Sequence, residues 1–175
     1  PLSKIAGTLS NGNLQFTHSS WATARTTIGM TTGKWYCEFS ETNAGGTANP
    51  ILGIIDEASA TYLDAAATGY GYRSDGSKVN DNAASSYGAS YTAGDIVGVA
   101  FDADNRTLTF YKNGVSQGVA FSNISAGTGK YFFAGSVNSN ESISANFGQR
   151  AFAYQNAGTN RPSADYKSLN TANLP

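Results

Sequence analysis

The sequence predicts a single all-β domain, and three observations lead to that prediction. The 175 residues are rich in Tyr, Phe and Gly and low in charge (13%), a composition typical of sheets joined by tight turns. Several segments alternate between apolar and polar residues with period two, the spacing of a strand with one buried face. Asn-Gly pairs, which favour two-residue hairpins, lie between some of these segments. A β-sandwich of this length is ordinary as one domain.

The most regular part of the sequence predicts a three-stranded meander. Residues 96–101 are apolar in both parities, as in a strand covered on both faces, and residues 107–112 alternate. Asn113-Gly114 then predicts a hairpin, because a two-residue turn that matches strand twist needs positive φ at both positions. We expect the return strand to place three apolar side chains on one face: Val115, Val119 and Phe121.

The N-terminal third predicts a small hairpin and two strands. Asn11-Gly12 lies between Leu9 and Phe16, which predicts a hairpin over 9–16 that closes the core. A weaker strand region covers 21–30. In WYCEFSE, which starts at residue 35, alternate side chains share one face. They are Trp35, Cys37 and Phe39.

The rest of the chain predicts short strands separated by irregular loops. Ile51 to Ile55 is a buried strand in which Gly53 marks a close approach of another backbone. Tyr70 and Tyr72 fall on the same face. The last two predicted strands cover 131–137 and 142–147, with Ile143, Ala145 and Phe147 inward. In total we expect ten to thirteen strands. The predicted loops are 43 to 50, 57 to 68, 73 to 87, 122 to 130 and 138 to 141.

Charge and hydropathy exclude several classes of partner. The formal net charge is −1, so no basic footprint for nucleic acid is present. No apolar run is long enough to span a bilayer, so we expect no membrane insertion. The single cysteine excludes an internal disulfide. Pro1 without an initiator Met suggests a piece of a longer chain.

Five segments, in order along the chain, carry a family pattern. They are GKWYCEFSE (33–41), LGIID (52–56), GYGYRSDGSK (69–78), YTAGDIVGVAFDADNRTLTFYKNG (91–114) and SANFGQRAFAY (144–154). Together they resemble the SPRY domain, the core of B30.2 modules. The resemblance implies a bent antiparallel β-sandwich of the concanavalin-like jelly-roll type, whose loops at one end recognise a partner, usually a protein segment, without catalysis. It divides the chain into an N-terminal closing hairpin (1–19), the sandwich (20–154) and a polar C-terminal tail (155–175).

Two shorter features resemble the SPRY-type modules of bacteriophage virion proteins. One is LSNGNL at 9–14, and the other is NFGQRAFAY with the closing SADYKSLNTANLP. This narrower resemblance implies a tail or capsid-surface protein, located on the virion surface. The chain also has no recognisable PRY extension before Trp21, unlike the better-known eukaryotic members.

Residues that suggest catalysis have plainer interpretations. His18 is the only histidine, and nothing pairs with it by spacing. Cys37 lies on the predicted interior face, where a neutral thiol behaves as a small hydrophobe. Asp56 and Glu57, with a distant partner such as Asp64, are acids of the kind that a glycosidase uses, but a pair at a strand end is usually only solvated. We therefore expect no catalytic residue.

Asp102, Asp104 and Asn105 resemble a calcium loop at first, because hard cations take clustered oxygen ligands. The spacing does not fit, since no glycine occupies the sixth position and no glutamate closes the loop. Turn formation accounts for all three residues. We expect neither a metal nor a cofactor.

The candidate partner-binding residues combine polar groups with tyrosines, as binding surfaces do. Most lie in or near the polar excursion that follows GYGYR. The alternative, given equal weight, is that Tyr70 and Tyr72 belong to the core and that the polar run only solvates a loop. The candidates are Tyr62, Asp64, Arg73, Asp75, Lys78, Asn80, Asn82, Tyr87, Asn138 and Asn140.

Three functions fit these observations. The first is a non-enzymatic recognition module whose loops bind a protein segment or a host-surface glycan. The second is a structural domain that decorates or links parts of an oligomeric virion protein without a dedicated ligand. The third and most remote is a glycan-active enzyme, for which no acid/base pair is supported.

Overall fold

The computed structural model is a sandwich of two β-sheets, and it describes residues 1–4, 6–43, 49–59, 61–155 and 162–174. The first sheet has seven strands in the spatial order β1 (Leu2–Lys4), β4 (Ala22–Thr26), β13 (Tyr131–Val137), β6 (Ile51–Asp56), β7 (Gly69–Arg73), β8 (Ser77–Asn80) and β9 (Ala83–Ser86). The second sheet has the order β12 (Val115–Phe121), β11 (Thr107–Lys112), β10 (Ile96–Asp102), β5 (Lys34–Asn43), β14 (Glu141–Asn146), β3 (Gln15–His18) and β2 (Thr8–Ser10).

The all-β prediction is confirmed. Neighbouring strands pair antiparallel, except that the short β15 (Lys167–Ser168) pairs parallel with β5. A single 3-10 turn, η1 (Thr171–Asn173), is the one helical element in the described ranges. The described residues form fifteen strands, more than the ten to thirteen expected, because several strands have only two to four residues. Among the described residues, no helix is long and apolar enough to cross a membrane.

The core lies between the sheets and takes the faces that alternation predicts. Trp35, Cys37 and Phe39 are buried together on the inner face of β5. Tyr70 and Tyr72 join the same core from β7, so their core interpretation is confirmed. The predicted inward residues of the last long strand, Ile143, Ala145 and Phe147, are buried there too. At Gly53 a Cβ atom would overlap the carbonyl oxygen of Tyr70, which confirms the close backbone approach.

Hairpin turns follow the expected chemistry where the sequence has Asn-Gly. Asn113 and Gly114 have φ of 47° and 79° and join β11 to β12. Asn11 and Gly12 lie in the turn between β2 and β3, which confirms the N-terminal hairpin.

Two expectations about strands are wrong. The excursion 73–87, predicted as a loop, contains the hairpin of β8 and β9, whose turn residues Asp81 and Asn82 have φ of 50° and 59°. On β12, Val119 pairs with Thr109 but Phe121 pairs with Leu108, so the two side chains lie on opposite faces. Register shifts beside Thr109 add residues to β12 and break the alternation. Val115 and Val119 are consequently exposed.

Both outer faces of the sandwich are partly covered by non-strand segments. Leu63 and Ala66, from the segment between β6 and β7, are buried against Ile51 and Phe132 on the first sheet. On the second sheet, Phe152 and Tyr166 pack against a buried cluster formed by Tyr36, Ala100 and Tyr111. Each sheet is therefore buried on more than its inner face, which fits the apolar residues in both parities of β10.

The C-terminal segment is fixed to the second sheet at several points. The carboxylate of Glu38 accepts hydrogen bonds from the backbone N–H groups of Ala153 and Tyr154, both at 2.8 Å. Leu169 is buried in the main core just after β15. The described part of the polar tail thus packs on the sandwich, while the division of the chain at residues 19 and 154 stays a prediction.

Candidate recognition surface

The segment that follows β6 crosses the outer face of the first sheet and is anchored there by Leu63. The Leu63 side chain is fully buried, and its backbone N–H donates to Ser136 Oγ at 3.0 Å. Ser136 Oγ lies 2.7 Å from Thr23 Oγ1 on the neighbouring strand β4. This small network ties the segment to β13 and β4. Leu63 is therefore anchored to the first sheet between Tyr62 and Asp64.

Tyr62, on one side of this anchor, forms an aromatic pair with Trp21. The two ring centroids are 5.8 Å apart with an interplanar angle of 41°. Tyr62 is 36% exposed and Trp21 is half-buried. Because Ala22 pairs with Val137, the antiparallel register places Trp21 opposite Asn138, in the turn between β13 and β14. Three distant parts of the chain thus meet at this point.

Asp64, on the other side of the anchor, meets the tip of the β8–β9 hairpin. The backbone carbonyl of Asp64 accepts a hydrogen bond from Asn82 N–H at 2.6 Å. The Asp64 Oδ1 atom is buried and has no hydrogen-bond partner in the described ranges. The Asn82 residue is exposed. We call the surface formed by Trp21, Tyr62, Asp64 and Asn138 the aromatic surface.

The β13–β14 turn is organised by its own polar groups. Ser139 and Asn140 have φ of 52° and 63°, and Asn138 Oδ1 accepts a hydrogen bond from Ser139 N–H at 2.7 Å. The Asn140 N–H donates to the His18 carbonyl at 2.9 Å. The Asn138 side-chain oxygen is therefore already hydrogen-bonded within the turn, at the end of β13.

Arg73 and Asp75 lie at the same end of the first sheet but bind each other. Arg73 Nε donates to Asp75 Oδ2 at 2.9 Å, and Asp75 Oδ1 accepts from the backbone N–H of Ser77 at 2.9 Å. Burial alone would raise the pKa of Asp75, but the hydrogen bonds from Arg73 and Ser77 lower it to about 2. This half-exposed pair stays charged at neutral pH and adds a polar rim to that end.

Three other predicted residues have internal partners. Lys78 Nζ donates to the Ala120 carbonyl at 2.7 Å, and Tyr87 Oη donates to the Gly118 carbonyl. Asn80 Nδ2 donates to the Gly69 carbonyl at 2.7 Å. The first two contacts join the β7–β9 region to the edge strand β12 of the other sheet. These three side chains stabilise the fold through internal hydrogen bonds. The predicted site residues therefore do not form one cluster.

Sequence reasoning missed two features at this end of the sandwich. One is Trp21, which the alternation of the region 21–30 did not mark as a surface residue. The other is a pair of buried carboxyl groups, Glu41 and Glu141. Alternation from Trp35 through Phe39 puts Glu41 on the inner face, so the pattern contained the signal for the first of these acids.

The acidic residues that suggested catalysis or calcium binding have structural partners. Asp56 Oδ2 accepts hydrogen bonds from the backbone N–H and the hydroxyl of Thr128, at 2.7 and 2.9 Å, and the residue is buried. Asp102 Oδ1 accepts from Asn105 N–H at 2.9 Å, as turn formation predicts. Within the part of the chain that the structure describes, no group of three or more His, Cys, Asp or Glu residues is placed to hold a metal ion.

Comparisons with known proteins agree with this architecture. The family model described as "SPRY domain" matches residues 24–150. The chain is 30% identical over 134 residues to the ATP-dependent RNA helicase DDX1 of Xenopus laevis, which covers 77% of the chain and 18% of the helicase. It is 32% identical over 142 residues to the E3 ubiquitin-protein ligase RKP of Arabidopsis thaliana, covering 77% of the chain and 11% of the ligase. The chain therefore spans less than a fifth of these relatives.

A solved structure shows the same fold. The crystal structure of the SPRY domain of human HERC1 aligns with a TM-score of 0.73 at 21% identity. The alignment covers 85% of this chain and 96% of the HERC1 chain.

Proposed function

This chain belongs to the SPRY domain family, whose members mediate protein–protein interactions, and we propose that it is a non-catalytic module that binds a protein segment through the aromatic surface. The helicase and ligase activities named above belong to proteins of which the match covers less than a fifth. A recognition role agrees with the internal partners of Asp56 and Asp102, which leave these acids engaged in shaping loops.

The observation that carries the proposal is the partly exposed Trp21–Tyr62 pair beside the anchored Leu63. Large aromatic side chains dominate the energy of protein interfaces because they bury much area at a small cost in conformational entropy. Here the pair lies beside Leu63, whose hydrogen bond to Ser136 fixes the segment. A surface held in this way is pre-organised, which reduces the entropy lost on binding.

The polar groups of the aromatic surface indicate which groups a bound partner segment should carry. Asp64 is half-buried beside Tyr62, and its carboxyl group accepts hydrogen bonds, so a backbone N–H or a basic side chain of the partner would bind it at the surface. An apolar or aromatic side chain of the same segment would pack on Tyr62. The expected ligand is therefore an extended segment with a donor next to an apolar residue.

The test starts from peptides selected on the wild-type domain from a random peptide display library. Titration calorimetry then compares the wild type with Tyr62→Ala, Trp21→Ala and Asp64→Asn. We expect each aromatic truncation to weaken binding at least about tenfold. Val115→Ala is the matched control, because Val115 is exposed on the second sheet. Melting temperatures measured on the same samples show whether a variant lost its fold instead of its site.

Affinity that is unchanged in both aromatic variants would exclude the aromatic surface. A loss of affinity in Arg73→Ala together with normal binding by Tyr62→Ala would move the site to the polar rim. Equal losses in the Val115→Ala control would show that the selected peptides bind without a defined site.

The virion setting and the glycan ligand stay expectations from the sequence. The relatives and the solved structure named above come from a frog, a plant and a human, so they lend the phage resemblance no support. A glycan array with the same variants distinguishes the two ligand classes, since a glycan that needs Tyr62 would replace the peptide in the proposal.

A further inference from the structure

A second surface feature lies at the opposite end of β13 from the aromatic surface. It is a cavity of about 190 Å³, with a floor of buried apolar and aromatic side chains and an exposed polar rim. Met30 pairs with Tyr131 at the start of β13 and brings the floor together. The floor is formed by Met30, Phe101 and Tyr131, and the rim includes Thr31, Arg106 and Ser125.

The Arg106 guanidinium on this rim has no hydrogen bond or ion pair with any group in the described ranges. Most basic side chains in the body of the sandwich do have acceptors. Arg25 donates to the carbonyl groups of Asp56 and Glu57, and Lys78 donates to that of Ala120. Where the structure describes both partners, the side chains in ion pairs with carboxylates are Lys34, Arg73, Lys112 and Lys130. The exposed Arg106 thus places N–H donors, which no described group of the protein accepts, at the edge of a cavity.

The backbone at Arg106 supports a role for its side chain. Its φ is 53°, in the left-handed region that favours Gly, Asn and Asp. The other non-glycine residues with positive φ in the described ranges are Asn, Asp or Ser, so Arg106 is the one long side chain among them. An Asn would make the same turn with less strain. Strained residues of this kind concentrate at functional sites.

The loop that forms the other wall is held in place by tyrosine hydroxyls. Tyr131 Oη donates to the Ser125 carbonyl at 2.9 Å, and Ser125 N–H donates to Tyr70 Oη at 3.1 Å. Gly129 N–H closes a turn to the Ala126 carbonyl at 2.7 Å. The cavity is therefore formed before any ligand arrives, as is usual for small-molecule sites.

We propose that this cavity binds a carboxylate carried on a small apolar body, with Arg106 pairing the carboxylate and the body lying over the buried floor beside Ala103. Guanidinium groups pair carboxylates through two parallel hydrogen bonds, and the neighbouring Thr31 hydroxyl adds a donor at the same rim. The volume fits a group the size of one side chain, since drug-sized ligands need about 300 Å³ or more. Inorganic phosphate would satisfy Arg106 but leave the apolar floor uncovered.

Met30 provides a direct probe of binding. It is the single methionine of the chain, so its ¹³C-labelled ε-methyl group gives one NMR signal from the cavity floor, assigned by its loss in Met30→Leu. We expect N-acetyl-leucine to shift this signal in a saturable way. N-acetyl-leucine amide, which lacks the charge, and inorganic phosphate, which lacks the apolar body, should leave it in place.

Arg106→Asn separates ligand binding from folding, because Asn suits the left-handed backbone and the variant should be at least as stable as the wild type. We expect it to weaken N-acetyl-leucine binding by about tenfold or more, as the loss of a charged hydrogen-bonded pair implies. Arg150→Asn is the control, since Arg150 is an exposed arginine outside this cavity and the change in net charge is the same. A shift that persists in Arg106→Asn, or an equal response to the amide, would overturn the proposal.

The source of the carboxylate is decided with a tetrapeptide that ends in leucine. Binding at least as tight as that of N-acetyl-leucine would identify the C-terminus of a protein chain, and binding only of the free acid would identify a small metabolite. Either result supports the carboxylate chemistry, whereas no response to either compound refutes it. Because the cavity shares no residue with the aromatic surface, failure here leaves the proposed function untouched, and the converse holds as well.

Discussion

Glu141 keeps one carboxyl oxygen, Oε1, buried without a hydrogen-bond partner in the described ranges. Its other oxygen accepts a weak hydrogen bond from Asn138 N–H at 3.4 Å. Burial, and the nearby carboxyl group of Glu41, raise the pKa of Glu141 to about 7. Burial and Asp95 raise the pKa of Glu41 as well. The interior at this end of the sandwich therefore favours protonated acids.

This raised pKa makes stability depend on pH. A carboxyl group whose pKa is higher in the folded state binds its proton more tightly there. The free energy of unfolding is therefore highest at low pH and falls as the pH rises through about 7. We expect Glu141→Gln to have a higher free energy of unfolding than the wild type at pH 8, by up to about 3 kcal/mol, because Gln carries no charge to bury. The gain in unfolding free energy at pH 5 should be smaller.

Urea denaturation at both pH values measures this effect. Glu57→Gln is the control, because Glu57 forms an exposed pair with Lys130 and should change the pH dependence little. Parallel pH profiles for Glu141→Gln and the wild type would show that the Glu141 carboxyl group does not carry this dependence.

At the scale of elements, the edge strand β12 is covered by side chains instead of a neighbouring strand. Tyr87 Oη donates to the Gly118 carbonyl and accepts from Phe110 N–H at 3.3 Å, and Lys78 Nζ binds the Ala120 carbonyl. Gln117 Oε1 accepts a hydrogen bond from Ala89 N–H at 2.8 Å. An exposed edge is a template for pairing with other chains, and these contacts occupy it.

Tyr87→Phe removes the hydroxyl group while keeping the ring, which packs on Tyr72 with centroids 5.3 Å apart. We expect a loss of about 1–2 kcal/mol in unfolding free energy, since Phe110 N–H and the Gly118 carbonyl each lose a partner. Hydrogen exchange should accelerate at the amides of β12 while the rates in β6 stay close to those of the wild type.

The matched control for this edge is Tyr62→Phe, which removes a hydroxyl group from a tyrosine that is 36% exposed. Its unfolding free energy should match that of the wild type. If β12 exchanges at the wild-type rate in Tyr87→Phe, the hydroxyl group does not protect the edge.

The predictability of these elements followed the strength of their turn signals. Asn113-Gly114 is a strong local signal, so its hairpin was predicted from two residues. Asp81-Asn82 is a weaker signal, and the β9 sequence of two Ala and two Ser has low β propensity, so that hairpin was missed. Contacts such as Lys78 with Ala120 depend on which strands end side by side, and no local pattern encodes that.

At the scale of the whole molecule, segments without regular structure complete the burial of both sheets. Leu63 covers part of the first sheet, and Leu169 inserts into the main core after β15. Their surroundings in the sequence are polar, so composition indicated a loop and a tail. The aromatic surface could not be predicted from the sequence for a related reason. Alternation predicts faces within a strand, but only the fold brings Trp21, Tyr62 and Asn138 together.

Leu169→Ala tests whether the C-terminal segment stabilises the sandwich. The side chain is 4% exposed, and a buried Leu→Ala change costs about 2–4 kcal/mol. For a chain of this length we expect a melting temperature lower by roughly 5–12 °C in calorimetry.

Leu174→Ala makes the same chemical change at a side chain that is 37% exposed, so its melting temperature should stay within about 2 °C of the wild type. Equal effects of the two substitutions would mean that the segment contributes through its exposed end and not through the core.

The two tryptophans of the chain occupy contrasting positions. Trp35 is buried, and its indole Nε1 donates to the Thr32 carbonyl at 2.7 Å, whereas Trp21 is half-buried beside Tyr62. Intrinsic fluorescence should consequently separate into a blue-shifted emission, inaccessible to acrylamide, and a red-shifted emission that acrylamide quenches. The second signal gives an unlabelled optical readout of occupancy at the aromatic surface, while the first responds only when the molecule unfolds.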